Sequence, residues 1–294
     1  KLIKFLHIFF CFFQLFYYKL KKIFFLSMII HDFNSNFIDI GYIQIKWYSV
    51  AYILGIILGW LYAKNIIKNS INQSTASVSI ASFDNSIFYI VLGIIIGGRL
   101  GYVFFYNFSY YLSNLIEIFQ VWKGGMSFHG GLIGVIAGIF IFCKKNKLNF
   151  FTFTDLISCA APIGIFLGRI ANFINGELYG KITTLPWGII FPNGGNFSRH
   201  PSQIYEAILE GIILFLIINY LALKKELLYK SGYISGFFLI FYSILRIFSE
   251  NFREPDLHIG YLFNYFSMGT VLSILTLIAG FLIIFFIKKN ERNN

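Results

Sequence analysis

Long apolar segments recur along this chain, and they restrict its possible folds more than any other feature of the sequence. Seven of these segments approach or exceed the roughly 20 residues that an α-helix needs to cross a bilayer. Only 13% of the 294 residues are charged, which leaves too little polar surface to cover a soluble protein. The sequence therefore predicts an all-α, polytopic membrane helix bundle of about seven transmembrane helices, at 47–63, 80–106, 127–143, 155–174, 203–223, 233–248 and 261–287.

Glycines four residues apart recur within the predicted helices. Small residues allow helix backbones to approach closely in lipid, where apolar side chains gain little by leaving their surroundings. The pattern predicts one packed bundle with neither a soluble domain nor a long linker. The pairs are Gly55 and Gly59, Gly93 and Gly97, Gly134 and Gly138, and Gly164 and Gly168.

The formal net charge of +11 arises largely from basic residues at the ends of the apolar segments. This placement is typical of loops that face anionic lipid headgroups, so we expect no nucleic-acid partner. Basic residues are more numerous after the first, third, fifth and seventh predicted helices than in the loops between them. By the positive-inside rule, the first helix begins outside and the C-terminus is cytoplasmic.

The N-terminal 27 residues do not follow this pattern. They are apolar and aromatic but are interrupted by Lys19, Lys21 and Lys22, and an eighth span there would place these lysines near the outer surface. The earliest methionine is Met28. We expect residues 1–27 to lie upstream of the natural start or to form a dispensable extension, and residues 28–294 to form a single transmembrane domain.

Three arginines lie within or at the ends of apolar segments: Arg99, Arg169 and Arg246. An arginine at mid-membrane costs about 2.5–3.5 kcal/mol on insertion, so each requires a partner or a function. One interpretation is pairing with a buried acid, and Glu206, Glu210 and Glu250 are the candidates. The other is an anion site, because a guanidinium can bind phosphate through two parallel hydrogen bonds.

Polar residues surround two of these arginines. Arg169 and Asn172 share one helix face and lead into a glycine-framed segment that can fold back as a loop. Pro201 and Ser202 then suit the start of the next helix. Polar residues along one stripe of a lipid-embedded helix should face a cavity or polar partners. Such a stripe is predicted for Tyr242, Arg246 and Glu250.

Two glycine-rich elements carry the remaining candidates. His129 stands where a loop enters the third helix, and it is either a structural hydrogen-bonding residue or a base. Arg99 lies in the second element, and it either belongs to the site or is a paired arginine at a close helix contact. The three cysteines, Cys11, Cys143 and Cys159, lack metal-ligand spacing, which argues against a zinc site and a disulfide framework.

Five motifs follow one another along the chain: GGRLGYVFFYN, GGMSFHGG, GRIANFINGELYG, RHPSQIYE and RIFSENFREPD. In this order they resemble the signatures of the bacterial prolipoprotein diacylglyceryl transferase family, and the similarity extends from about Met28 to the last helix. Ala171, Ser249 and Glu254 depart from the family pattern, but none is a position assigned to chemistry.

The resemblance implies transfer of the diacylglyceryl group of phosphatidylglycerol to the lipobox cysteine thiol of a preprolipoprotein, with release of glycerol 1-phosphate. This reaction is the first step of bacterial lipoprotein maturation and occurs in the inner membrane. The implied partners are phosphatidylglycerol, preprolipoprotein signal peptides and membrane lipids, and no metal or organic cofactor is required.

The resemblance also implies residue roles. Arg169 and Arg246 are the critical arginines, and they can clamp the phosphate. His129 and Tyr242 are both candidate bases for the thiol; we favour His129, since an imidazole is more readily available as a base at neutral pH than a phenol. The expected residues for headgroup binding and orientation are Tyr48, Arg99, Asn172, Glu177, Gly180, Glu206 and Glu250.

Two functions of other classes are alternatives to this reaction. In a small-anion or lipid transporter, the intramembrane arginines would form a permeation path, but no pair of segments reads as an inverted repeat. A structural scaffold would leave the arginines without a task. Lipidation of a lipobox peptide by the purified protein separates a transferase from either.

Overall fold

A computed structural model describes residues 29–40, 44–70, 78–255, 260–262 and 265–293. The chain divides into two compact units. The first unit consists of the described residues of Lys1–Leu58, Ala161–Leu216 and Leu239–Ala279. The second unit consists of those of Gly59–Ala160, Ile217–Phe238 and Gly280–Asn294. The predicted extension at residues 1–27 lies outside the described residues.

Helices dominate the described part of the chain. Within it, six helices are long and apolar enough to cross a membrane, which confirms the prediction of an all-α, polytopic membrane protein. The third predicted span is also a helix, α4, although its 19 residues are not among those six. The helices are α1 (Trp47–Ser70), α2 (Ile80–Tyr106), α3 (Phe108–Ser113), α4 (Phe128–Asn146), α5 (Phe150–Ile174), α6 (Ser202–Lys224), α7 (Tyr233–Glu250) and α8 (Met268–Asn293).

The start of α8 differs from the predicted start at residue 261. The chain first forms a small antiparallel pair, in which Tyr261 lies opposite Ser267 and Leu262 opposite Phe266. The helix begins only at Met268. Apolar composition continues through both structures, so hydropathy does not mark the boundary between them.

Helix α6 changes its winding along its length. Ser202–Glu206 is α-helical, Ala207–Ile213 is a π-helix, and Leu214–Asn219 returns to the α form before a second π segment at Tyr220–Lys224. A wider π turn is rare and often accompanies functional positions. Here the first π segment carries Glu210.

In the second unit, α2 and α4 pack through their glycines. A Cβ atom on Gly134 would overlap the carbonyl of Gly93, and one on Gly97 would overlap that of Gly130. This confirms the close approach predicted for these helices. In the first unit, the close helix contact predicted at Gly168 is not observed, because no described atom lies within 4 Å of an added Cβ.

The second unit also contains a helix cap supplied from another helix. Asp155 of α5 is fully buried. Its carboxylate accepts hydrogen bonds from the backbone N–H groups of Gly232 at 2.6 Å and Ser235 at 2.7 Å. These donors belong to the start of α7, where N–H groups lack partners within the helix. Asp155 therefore fixes the N-terminal end of the helix that carries Arg246.

Short strands organise the polar segments of the first unit. Isolated bridges join Gly180 to Arg253 and Arg199 to Ile189, and they hold the loop after α5 against the end of α7. The strands are β1 (Ile29–Ile30), β2 (Asn36–Asp39), β3 (Gln44–Lys46), β4 (Ile189–Ile190), β5 (Tyr261–Leu262) and β6 (Phe266–Ser267), paired as β1 with β4 in parallel and as antiparallel β2 with β3 and β5 with β6.

Candidate active site

Four charged side chains of the first unit form a closed ring of ion pairs. Arg169 contacts Glu206 through Nη1 and Oε2 at 2.7 Å and Glu210 through Nη2 and Oε2 at 3.0 Å. Arg246 completes the ring, because its Nη1 lies 2.8 Å from Glu206 Oε1 and 3.2 Å from Glu210 Oε1. Each arginine therefore contacts both acids, and each acid contacts both arginines. We call these four residues the ion-pair ring.

The ring is almost completely removed from solvent. The side chains of Glu206 and Glu210 are 0% exposed, that of Arg246 is 8% exposed and that of Arg169 is 16% exposed. Burial of a charge is costly unless a partner of opposite charge compensates for it. Two arginines and two glutamates sum to zero charge, so the ring can exist in an apolar setting. Pairing with buried acids, one of the two predicted interpretations, is therefore observed.

The same geometry is compatible with the other interpretation, an anion site. A guanidinium has five N–H donors. The ion pairs of Arg169 with two carboxylates and of Arg246 with three, Glu250 included, do not use all of them. The carboxylates also fix the positions of the two guanidinium groups before any ligand binds. A phosphate would therefore meet two preoriented cations, and preorganisation of this kind makes electrostatic stabilisation effective.

Further polar groups hold the acids of the site. Glu250 pairs with Arg246 one helical turn earlier, with Oε2 and Nη2 2.7 Å apart, and its Oε1 accepts a hydrogen bond from Ser267 at 2.9 Å. The Ser249 hydroxyl donates a hydrogen bond to Glu210 Oε1 at 3.0 Å. Arg253 Nη1 lies 3.8 Å from Glu206 Oε1. The ring is thus embedded in a wider polar network.

The loop after α5 folds back, so that Glu177 contacts the helix that bears Arg169. Asn172 Nδ2 donates to Glu177 Oε1 at 2.9 Å, and Gln203 Nε2 donates to the Glu177 carbonyl at 2.6 Å. Gly180 lies so close to His200 that an added Cβ would be 2.6 Å from the His200 Cβ. A side chain at Gly180 would therefore push the loop away from the start of α6.

Two tyrosines extend the site. Tyr52 donates a hydrogen bond to the Tyr48 hydroxyl at 3.2 Å, one turn apart on α1, and its own hydroxyl interacts electrostatically with Arg169 and Glu177. Tyr242 lies one turn before Arg246 and interacts electrostatically with all four members of the ion-pair ring. Nine of the predicted site residues belong to this unit: Tyr48, Arg169, Asn172, Glu177, Gly180, Glu206, Tyr242, Arg246 and Glu250.

Comparison with known proteins identifies the family. The sequence profile described as prolipoprotein diacylglyceryl transferase matches residues 35–286. The chain belongs to this family. It is 50% identical to the phosphatidylglycerol–prolipoprotein diacylglyceryl transferase of Rickettsia felis over 249 residues, which cover 85% of this chain and 95% of that protein. The enzyme class, a transferase, is confirmed by this match.

Two further relatives carry the same name. The protein of Rickettsia bellii is 48% identical over 260 residues, covering 88% of this chain and 96% of its own length. That of Rickettsia canadensis is 50% identical over 253 residues, covering 86% of this chain and 96% of its own length. The likeness therefore covers nearly the whole of these diacylglyceryl transferases.

The two other predicted site residues of this transferase, Arg99 and His129, lie in the second unit. Arg99 is buried, and its guanidinium donates to the main-chain carbonyls of Glu117, Ile118, Gly124 and Gly125. These contacts favour the structural interpretation of Arg99. His129 is exposed in the first turn of α4, next to the Ser127 cap that accepts from Gly130 N at 3.2 Å.

The sequence did not assign a site role to Glu210, Ser249 or Arg253. Glu210 lies four residues after Glu206 and was considered only as a partner for an arginine. The spacing was visible, but its contact with both arginines was not, because that contact depends on how three helices pack. Arg253 follows Arg246 by seven residues, a helical spacing that could have indicated it even though the helix ends at Glu250.

Proposed function

We propose that this chain transfers the diacylglyceryl group of phosphatidylglycerol to the thiol of a lipobox cysteine in a preprolipoprotein and releases glycerol 1-phosphate. The observation that carries the proposal is the pair of arginines held by the same two glutamates inside a member of this family. Arg169 and Arg246 would bind the phosphodiester of the lipid. Asn172, Glu177 and Gly180 would shape the loop that borders the headgroup.

The reaction breaks one bond and forms one. The thiol sulfur attacks the C3 carbon of the lipid glycerol, and the bond from that carbon to the phosphate oxygen breaks. The base accepts the thiol proton and finally passes it to the phosphate, which departs as a monoester. Negative charge grows on the departing phosphate oxygen during this step. Guanidinium groups already aimed at that charge lower the barrier most effectively, since they need no reorientation.

The proton acceptor is one of two side chains. Tyr242 lies one turn from Arg246, within electrostatic range of the ion-pair ring. His129 stands at the start of α4 and is solvent-exposed. We favour His129, since an imidazole accepts a proton readily at neutral pH. A pH profile of transfer by His129→Gln and Tyr242→Phe distinguishes them, because loss of the base removes the alkaline-rising limb of the rate.

The proposal includes a location. The protein would lie in the inner membrane of a bacterium, with the start of α1 outside and the C-terminus cytoplasmic. Support comes from the basic residues in the last turns of α1, α4, α6 and α8 or just beyond them. The catalytic loop after α5 would then face the outside, where preprolipoprotein signal peptides present their cysteines.

The test uses purified protein, phosphatidylglycerol micelles and a synthetic lipobox peptide. Transfer adds one diacylglyceryl group to the peptide mass, and it should require both the lipid and the cysteine. A peptide with serine in place of that cysteine is the matched control. Flux of small anions or lipids through proteoliposomes, without any lipidated peptide, would support the transporter alternative and end this proposal.

A further inference from the structure

The connection between α2 and α4, residues 107–126, exposes a dense set of large apolar side chains. It consists of α3 and two 3₁₀ turns, Leu115–Phe119 and Val121–Lys123. Ile116, Phe119 and Trp122 expose 79%, 78% and 77% of their surfaces. Contiguous apolar exposure of this kind marks a surface that binds something. Because α2 is a candidate membrane span that ends at Tyr106, the connection begins where a span ends.

The main chain of this connection obtains hydrogen bonds from inside the protein. Within the turns, Gln120 N donates to the Glu117 carbonyl at 3.1 Å and Gly124 N to the Val121 carbonyl at 3.2 Å. The Arg99 side chain also donates hydrogen bonds to the carbonyl oxygens of Glu117, Ile118, Gly124 and Gly125. Irregular backbone is tolerated at membrane depth only where its polar groups have partners in the protein or in water.

The inner and outer sides of the connection differ in chemistry. Tyr111 faces inward, and the Arg99 guanidinium carbon lies 5.1 Å from its ring centre, a cation–π contact. The Glu117 carboxylate accepts a hydrogen bond from the Tyr110 hydroxyl at 3.0 Å, which leaves a polar group beside the apolar ones. Aromatic side chains beside polar groups are typical of segments at the boundary between lipid headgroups and acyl chains.

We propose that residues 107–126 dock on the lipid surface of the membrane, with Phe119 and Trp122 in the headgroup boundary and Arg99 as the internal hydrogen-bond donor that allows this irregular segment to lie there. The partner that this surface contacts is the lipid bilayer. The apolar surface of the connection continues the lipid-facing surface of α2 through Phe104 and Phe105, which are also exposed. The proposal does not depend on the transferase reaction.

The experiment measures the fluorescence of Trp122 in vesicles of phosphatidylcholine and phosphatidylglycerol. The emission of the full-length Trp122→Phe protein is subtracted from that of the wild type, and the difference belongs to Trp122. Vesicles with lipids brominated near the ester end of the acyl chain quench tryptophans at the boundary, whereas iodide quenches those in water. We expect a blue-shifted difference spectrum that loses most of its intensity in brominated vesicles and little in iodide.

Two results would overturn the docking proposal. Quenching by iodide without quenching by brominated lipid would place Trp122 in water. Protection from both quenchers would mean that another protein surface, such as a second copy of the chain, covers Trp122. Trp47, Trp60 and Trp187 remain in both proteins, and their combined emission reports whether the fold is intact.

The role of Arg99 is tested by Arg99→Met, which keeps an apolar stem but removes all donors. The carbonyls of the turns then lack partners, so the connection should leave the lipid, and Trp122 should become accessible to iodide. The combined emission of Trp47, Trp60 and Trp187, measured with Trp122→Phe added, should be unchanged. Lipid quenching of Trp122 equal to that in the wild type would contradict the role given to Arg99.

Discussion

Removal of Glu210 tests how the ion-pair ring is balanced. This side chain is fully buried and contacts Arg169 at 3.0 Å, Arg246 at 3.2 Å and the Ser249 hydroxyl at 3.0 Å. Glu210→Gln keeps the shape but leaves two arginines with one shared glutamate and an excess positive charge. Loss of one partner from a buried ion pair costs about 3–5 kcal/mol. Because Glu206 still contacts both arginines, we expect the lower end of this range.

The response of the variant to lipid should follow from the same charge balance. An anionic phosphodiester would supply the missing negative charge, so phosphatidylglycerol should stabilise Glu210→Gln more than the wild type. A ligand present at 100 times its Kd adds about 2.7 kcal/mol, which is enough to be measured. The assay is denaturant unfolding in mixed micelles with phosphatidylglycerol or with zwitterionic phosphatidylcholine. Glu226→Gln, a change at an exposed glutamate, is the matched control.

Either of two outcomes would contradict the role given to Glu210. A stability of Glu210→Gln equal to that of the control would mean that the acid does not balance the arginines. Equal stabilisation of the variant and the wild type by phosphatidylglycerol would mean that the phosphodiester does not compensate for the missing charge at the ring.

Three further predictions concern the fold and its orientation. Asp155→Asn should lower the free energy of unfolding by about 1–2 kcal/mol, since the carboxylate caps the start of α7, and denaturant unfolding measures the loss. Gly134→Ala should abolish accumulation in the membrane because its Cβ would overlap the Gly93 carbonyl, whereas Gly168→Ala should accumulate normally, as quantitative blotting can show. In intact cells, an impermeant thiol reagent should label Lys181→Cys and not Lys145→Cys; the reverse pattern would invert the predicted topology.

Much of the fold follows from hydropathy alone. Each predicted segment contains a helix, and the glycines of α2 and α4 meet as their spacing indicated. The π-helical turns of α6 and the late start of α8 could not be predicted, because both depend on local winding within sequence of uniform apolarity. Arg99 shows another limit. A buried arginine indicates a polar partner, but the sequence does not reveal that its partners are main-chain carbonyls of a loop about twenty residues later.

For the site, the motifs identified the helices that meet but not how their charges pair. Arg169 and Arg246 were predicted to bind phosphate or acids, and the structure has them bound to Glu206 and Glu210 together. This pairing arises from the packing of α5, α6 and α7. The packing brings guanidinium and carboxylate groups that are distant in sequence within 4 Å of one another. The catalytic roles of these residues remain predictions.

Arg169 and Arg246 are proposed to act on the phosphate during transfer. This role is tested by the transfer rate of Arg246→Lys together with its abundance in the membrane, beside the exposed control Arg292→Lys. A lysine retains the charge but cannot reproduce a two-pronged contact. We predict near-normal abundance with a rate at least about 100-fold lower, equivalent to roughly 3 kcal/mol or more of lost transition-state stabilisation. A well-accumulated Arg246→Lys protein that transfers as fast as the control would contradict the role of Arg246 in phosphate binding.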